Sequence, residues 1–236
     1  MTPRTRQLKI GTLMVEVVHK SIKSLRLVVY RATGKVRIAV PLRVSEAEVR
    51  EVVTARLDWI RLQQDKFALH VAPTPLEYVT GEIHPFQGRD YRLNVIEEVG
   101  TPRVILHEDH LEIRVRPHSK RDQRAAVLSS WYRAQLQAQI PLLITHWQPI
   151  MGVQVAEWRI KQMKTKWGTC NTRVHRIWLN LELAKYPLIC LEYVVVHEMT
   201  HLLEPSHNAR FKALMDQFMP NWREHRVKLN ANTPNR

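Results

Sequence analysis

The stretch Tyr193-Val194-Val195-Val196-His197-Glu198-Met199-Thr200-His201 decides how the rest of the chain is read. It contains His-Glu-x-x-His inside a run that is apolar on nearly every face. Ile189, Leu191, Leu202 and Leu203 continue that character on either side, and a helix apolar all round is a buried helix. On a helix, residues four apart lie about 40° apart in projection, so His197 and His201 point the same way. Two such nitrogens can share one zinc ion. Glu198, about 100° round the helix, is poorly placed as a ligand and well placed to take a proton from an activated water. In a chain with 12 His, the pattern is expected by chance only about 0.04 times. Polar groups inside a buried helix need partners or a metal, because leaving them unsatisfied is costly. Core histidines satisfied by hydrogen bonds are the plain alternative.

A catalytic zinc usually takes three protein ligands and keeps one position open. His207 is the candidate for the third. On a continuous helix it would lie about 240° away from His201, so the helix has to stop between them. Pro205 disfavours helical geometry at Glu204 and lacks an N–H donor, so Leu203-Glu204-Pro205-Ser206 can turn the chain and bring His207 back. Ser206 or Asn208 then caps the next helix. Glu204 is the rival: seven residues after His197 on the same face, it is a third ligand, a carboxylate that orients a ligating histidine, or a solvated charge at the helix end. The orienting role is the expected one.

Outward from this helix, the pattern changes from helical to extended towards the N-terminus. Leu13 to Val18 is a strand candidate; Leu25 to Tyr30 and Lys35 to Val40 alternate apolar and basic residues, and Ala32-Thr33-Gly34 between these two predicts a hairpin. Ser45 followed by Glu46 and Glu48 starts a helix predicted to run through Trp59 and Ile60 to about Phe67. Short strands are predicted at Glu77 to Thr80, Tyr91 to Ile96, Val104 to Leu106 and Leu111 to Val115. A long helix follows from Ser119 towards Trp147, kinked or split near Pro141. Two strands, Glu157 to Met163 and Arg176 to Leu183, precede three helices at Pro187 to Leu203, Asn208 to Phe218 and Asn221 to Leu229. No repeat is visible.

The 236 residues suffice for one large or two small domains, and a hydrophobic fraction of 44% supports a core. The net charge of +14 attracts polyanions such as nucleic acid, although Lys and Arg are spread along the chain and form no tail. Two cysteines, Cys170 and Cys190, are too few for a disulfide framework. No apolar run reaches the roughly 20 residues a bilayer demands, and no signal-peptide run opens the chain. A cytoplasmic protein without a membrane partner is expected.

Further residues carry a family likeness: Lys164-Thr165-Lys166-Trp167-Gly168-Thr169-Cys170, Trp178-Leu179-Asn180, the stretch from Tyr193 to His207, Phe211, and Pro220-Asn221-Trp222. With these the chain resembles the YgjP-like metallopeptidase-domain family, related to the SprT-like and WLM zincins. The likeness is specific from about Arg159 to Leu229. Thr169 stands where a serine is common. The pattern along the chain puts a β-rich basic N-terminal region with one helix at 1–117 and a second domain at 118–236, an α+β fold, and the resemblance implies that the second is a minimal zincin-like domain with an antiparallel sheet packed on the His-Glu-x-x-His helix. It implies His197, His201 and His207 as zinc ligands. In zincins an edge strand ahead of the metal helix often binds substrate backbone, and Lys166, Trp167, Gly168 and Thr169 resemble that segment. Gly168 would admit close approach of another chain or a phosphate; a structural turn with a packed Trp is the alternative.

The expected activity is zinc-dependent hydrolysis with Glu198 as general base, of metallopeptidase type. Nickel, cobalt or manganese also suit three imidazoles. One alternative is a metal-dependent nucleoside triphosphate pyrophosphatase of UTP type, with Lys161, Lys164, Lys166, Arg173 and Arg176 holding phosphates. Another is a nucleic-acid or protein binding module with a structural metal. The substrate is thus a peptide or a nucleotide, and the oligomeric state is left open.

Overall fold

The computed structural model describes residues 4–30, 33–68 and 75–231. The chain is a mixed α+β protein that divides into two compact units, one within Met1–Thr74 and the other within Pro75–Thr233. The division lies earlier than the expected boundary near Pro117, which falls inside the second unit. The reason is packing: Leu93, Leu111, Ile113 and Val115, from strands ahead of Pro117, share one core with the helices that follow it.

In the first unit, β1 (Arg4–Ile10), β2 (Leu13–Lys20), β3 (Arg26–Val29) and β4 (Val36–Pro41) form a sheet of order β1-β2-β4-β3, with β2 parallel to β4. Alternation puts Val15 and Val17 with Val36, Ile38 and Val40 in the core, while Glu16 and Arg37 pair on the other face at 2.7 Å. The expected β3–β4 hairpin forms, although Arg31 and Ala32 of its turn lie outside the described residues. Ser45 caps α1 (Glu46–Thr54) in a reciprocal capping box with Glu48. The single helix expected from Ser45 to about Phe67 is two: the Arg56 amide bonds the Val53 carbonyl (3.1 Å) and closes α1 before α2 (Leu57–Ala68) begins.

In the second unit, β5 (Ile83–Phe86), β6 (Arg89–Glu97), β7 (Arg103–Leu106) and β8 (His110–Val115) have the order β5-β6-β8-β7, with β6 parallel to β8. Order and strand sense are those of the first sheet, so one topology occurs twice without a visible sequence repeat. The strand expected at Glu77 to Thr80 is irregular and runs into a turn at Thr80-Gly81; the amides of Glu77 (2.7 Å) and Tyr78 (2.8 Å) bond the Glu82 carboxylate instead of a neighbouring strand.

Helix α3 (Arg121–Met151) passes through Pro141 without a break. Its buried residues Leu128, Tyr132, Leu136, Ile140, Ile144, Trp147 and Met151 recur at helical spacing and bind the helix to the core on both sides of the proline. Gly152, at φ 65°, ends it in the left-handed conformation. The third sheet holds β9 (Glu157–Lys161), β10 (Gly168–Asn171) and β11 (Arg176–Asn180) in the order β10-β11-β9. It is mixed rather than antiparallel: β9 runs parallel to β11, because the chain crosses to the far edge before β10 turns back onto β11. A 3-10 helix (Leu181–Lys185) leads into α4 (Leu188–Thr200), followed by α5 (Ala209–Phe218) and α6 (Trp222–Ala231).

Candidate metal centre

Helix α4 carries the decisive stretch, and Leu191, Val194, Val195, Val196 and Met199 are buried as its composition predicts. The helix ends with His201 as its C-cap residue. Leu203 and Glu204 amides fold back onto the Thr200 carbonyl, each at 3.0 Å, and the chain turns at Pro205. Asn208 caps α5 by accepting the Phe211 amide (3.0 Å), which leaves His207 between the two helices. One nitrogen each from His197, His201 and His207 then lies within 4.8 Å of the other two. His207 Nε2 is 2.9 Å from His197 Nε2.

The three imidazoles rest on Phe211, with ring centroids 5.0, 4.7 and 4.7 Å from its own. Phe211 is 1% exposed, so it is a rigid floor. Tyr193 meets His197 edge-on at 5.8 Å. The His201 Nδ1 donates to the Glu204 backbone carbonyl (3.2 Å), which leaves Nε2 turned to the cluster. The Glu204 carboxylate instead accepts the Ser206 amide (3.1 Å). Its main chain therefore orients the histidine, while its side chain holds the turn.

Burial decides the charge state of the cluster. It drives His197 down to about 3, helped by His201, His207 and Arg226. Burial lowers His201 and His207 as well. The His197 Nδ1 is buried without a hydrogen-bond partner among the described residues. Three imidazoles that bring one nitrogen each within 4.8 Å of the others match a cation, and this donor set fits a divalent transition metal. Glu198 is 5% exposed, and burial raises it to about 8, opposed by Lys166.

Gly168 explains where the Glu198 carboxylate sits. A Cβ on Gly168 would lie 2.5 Å from Glu198 Oε1 and 2.7 Å from its Cγ, well inside contact distance. The close approach expected at this glycine is thus made by Glu198. Asn180, 3% exposed, fixes the loop before β10: its Nδ2 donates to the carbonyls of Met163 (2.9 Å) and Lys166 (2.8 Å), and its amide to that of Trp167 (2.8 Å). Trp167 is partly buried and edge-on to Tyr186 at 5.0 Å, so it packs into the fold. Thr169 pairs in register with Trp178 on β11, and Lys166 is exposed. Burial raises the Cys170 thiol to about 11, which leaves it a neutral packing residue.

Sequence reasoning did not anticipate the roles of Phe211 and Asn180, or a basic groove of about 640 Å³ lined by Lys212, Trp222, Arg223, Arg226, Val227 and Asn230. Trp222 stacks on Tyr193, and the Arg226 charge reaches His197 and His207, so the groove adjoins the histidines. The spacing that brings these residues together is tertiary. Of the residues first assigned to phosphate binding, Arg176 is committed to Glu157 (3.2 Å), and Arg176 and Lys161 both lie over Trp178. Among the described residues no helix is long and apolar enough to cross a membrane.

An α+β fold with three histidine nitrogens gathered within 4.8 Å and a buried glutamate next to one of them on the same helix agrees with the metal-dependent hydrolase class that the family match supports. The chain belongs to the YgjP-like, metallopeptidase domain family, whose model matches residues 23–232. Two solved structures are similar to part of it. One is the metallopeptidase zymogen abylysin of Pyrococcus abyssi (19% identity, 41% of this chain and 96% of that one, TM-score 0.38). The other is the metallopeptidase zymogen jannalysin of Methanocaldococcus jannaschii (18% identity, 39% of this chain and 94% of that one, TM-score 0.35). No curated protein matches the chain.

Proposed function

We propose that the protein is a zinc-dependent hydrolase of zincin type that cleaves peptide bonds, with His197, His201 and His207 holding one ion and Glu198 as general base. The observation that carries this reading is a gathering of His197, His201 and His207 nitrogens within 4.8 Å of one another, with the buried Glu198, next to His197 on α4, held against Gly168. Three histidines with an open position match catalytic zinc. When bound, the ion supplies Lewis-acid chemistry, making water nucleophilic near neutral pH and polarising a carbonyl or phosphoryl oxygen. Glu198 accepts the proton of that water at a carboxylate oxygen and passes it to the leaving group. A cation in the cluster, together with Lys166, favours its ionised form. Strand β10 is the edge of its sheet, so an extended peptide can add alongside Gly168 and Thr169 while Lys166 flanks it. A purely structural metal needs no base, and Glu198 argues against that role.

The groove supports a second reading, a nucleoside triphosphate as substrate. Lys212 and Arg226 line it and, among the described residues, neither is held by a carboxylate. The deciding experiment measures bound metal, hydrolysis of denatured casein and hydrolysis of UTP for wild type and Glu198→Ala. Casein cleavage that vanishes in the variant while metal stays bound supports the first reading. The same pattern on UTP alone supports the second, and a folded sample without metal sinks both.

A further inference from the structure

A second cluster of metal-ligating side chains lies at the turn between β7 and β8, on different elements from the first. His107 and His110 flank Glu108 and Asp109, and the His107 amide donates to the His110 carbonyl (2.9 Å). The imidazoles therefore stand side by side, with centroids 4.3 Å apart and planes 7° apart. Glu112 comes two residues along β8 on the same face. The opposite face of β8 carries Leu111, Ile113 and Val115, all in the core. One ligand atom from each of His107, His110 and Glu112 lies within 4.8 Å of the other two.

The surroundings orient these groups. The Glu112 side chain is only 10% exposed, and Arg114 Nε donates to its Oε1 (2.6 Å). Its other oxygen faces His107 Nε2 at 3.7 Å, too far for a hydrogen bond. Asp109 accepts from His110 Nδ1 (2.7 Å) and leaves Nε2 as the open nitrogen. A carboxylate on the rear nitrogen is the usual setting of a ligating histidine. Arg114 is shared with Glu98 (3.0 Å), which Arg103 also meets (2.8 Å). Two carboxylates thus face two guanidinium groups here, and a third, Asp109, is turned to His110, on a chain of net charge +14. Arg92, beside His110 in the β6–β8 register, is exposed and can turn to solvent. An ion-pair ladder accounts for Arg114; it leaves the parallel imidazoles and the open Glu112 oxygen unexplained.

We propose that His107, His110 and Glu112 form a second site for a divalent transition metal. Two imidazoles and one carboxylate suit zinc, nickel or cobalt. The ion would join the two ends of the β7–β8 turn and clamp it to the buried Glu112.

The test is equilibrium dialysis of the full chain against zinc at neutral pH, with bound metal counted by mass spectrometry. Wild type should bind two ions, and His107→Asn/His110→Asn one. His197→Ala/His201→Ala should also bind one, and added zinc should still raise its melting temperature. Glu112→Gln keeps a partner for Arg114 and serves as the conservative control; it should weaken the second site at least about tenfold. Circular dichroism checks that each variant folds. The proposal is overturned if His107→Asn/His110→Asn binds as many ions as wild type, if His197→Ala/His201→Ala binds none, or if Glu112→Gln leaves the affinity unchanged.

Discussion

Glu198 and Gly168 act as a pair, since the carboxylate occupies the space a side chain at Gly168 would fill. Glu198→Gln should keep the metal and lose hydrolysis by about 100- to 10,000-fold, the usual worth of a general base. Gly168→Ala should also retain metal but lower kcat, because the methyl group displaces the carboxylate and not the imidazoles. Metal analysis beside casein hydrolysis tests both, and a Gly168→Ala enzyme of full activity would refute the pairing. The same residues set the pH response of the metal-free protein. Burial depresses His197 to about 3 when folded, against an ordinary value of 6.5. Its contribution is present above about pH 6.5 and is lost as pH falls towards 3, because the unfolded chain takes up the proton first. Glu198, raised to about 8 from 4.5, works the other way, and its cost grows as pH rises from 4.5 to 8. In chelator, Glu198→Gln should therefore melt higher than wild type at pH 8, with the difference shrinking to nothing near pH 4. Melting curves at those two pH values decide it. His197, Glu198 and His201 were legible because four-residue spacing on a helix is a local property. The role of Glu204 was not: its main chain bonds His201 while its carboxylate bonds Ser206, and composition cannot tell a backbone contact from a side-chain one.

At the scale of elements, α4 was readable from its apolar faces and the break at Pro205, and α5 from its cap at Asn208. The continuity of α3 was not readable. Pro141 cannot donate to the Gln137 carbonyl, and locally it favours a break. Tertiary burial overrides that cost, since the apolar stripe continues from Leu136 and Ile140 to Ile144 and Trp147. Pro141→Ala should accordingly stabilise the protein by about 1–3 kcal/mol, measured as a higher urea midpoint at unchanged m-value. A destabilised variant would mean that the proline ring packs better than a restored hydrogen bond. Asn180 illustrates the opposite case. Its four bonds to the Met163–Trp167 loop fix the approach to β10, yet its neighbours mark it only as the end of a strand.

For the whole molecule, the second unit contains every residue of the three-histidine cluster, together with Gly168 and Phe211. A fragment of residues 75–233 is expected to fold and to bind zinc by itself, as shown by circular dichroism and metal content. A fragment that is unfolded in excess zinc would show that this core depends on the first unit. The charge of +14 belongs to the molecule rather than to any segment, and a polyanion partner remains a proposal: binding to duplex DNA should weaken steeply as salt is raised, and a flat response would exclude it. What the sequence by itself determined was the buried His-Glu-x-x-His helix, the turn that returns His207 and most of the alternating strands. Each follows from a periodicity or a stiff residue acting within a few positions. Only the tertiary structure decided the division at Thr74–Pro75, the topology shared by two sheets and the glycine vacated for Glu198. These depend on which distant surfaces pack together, and packing is set by shape and burial across the whole chain.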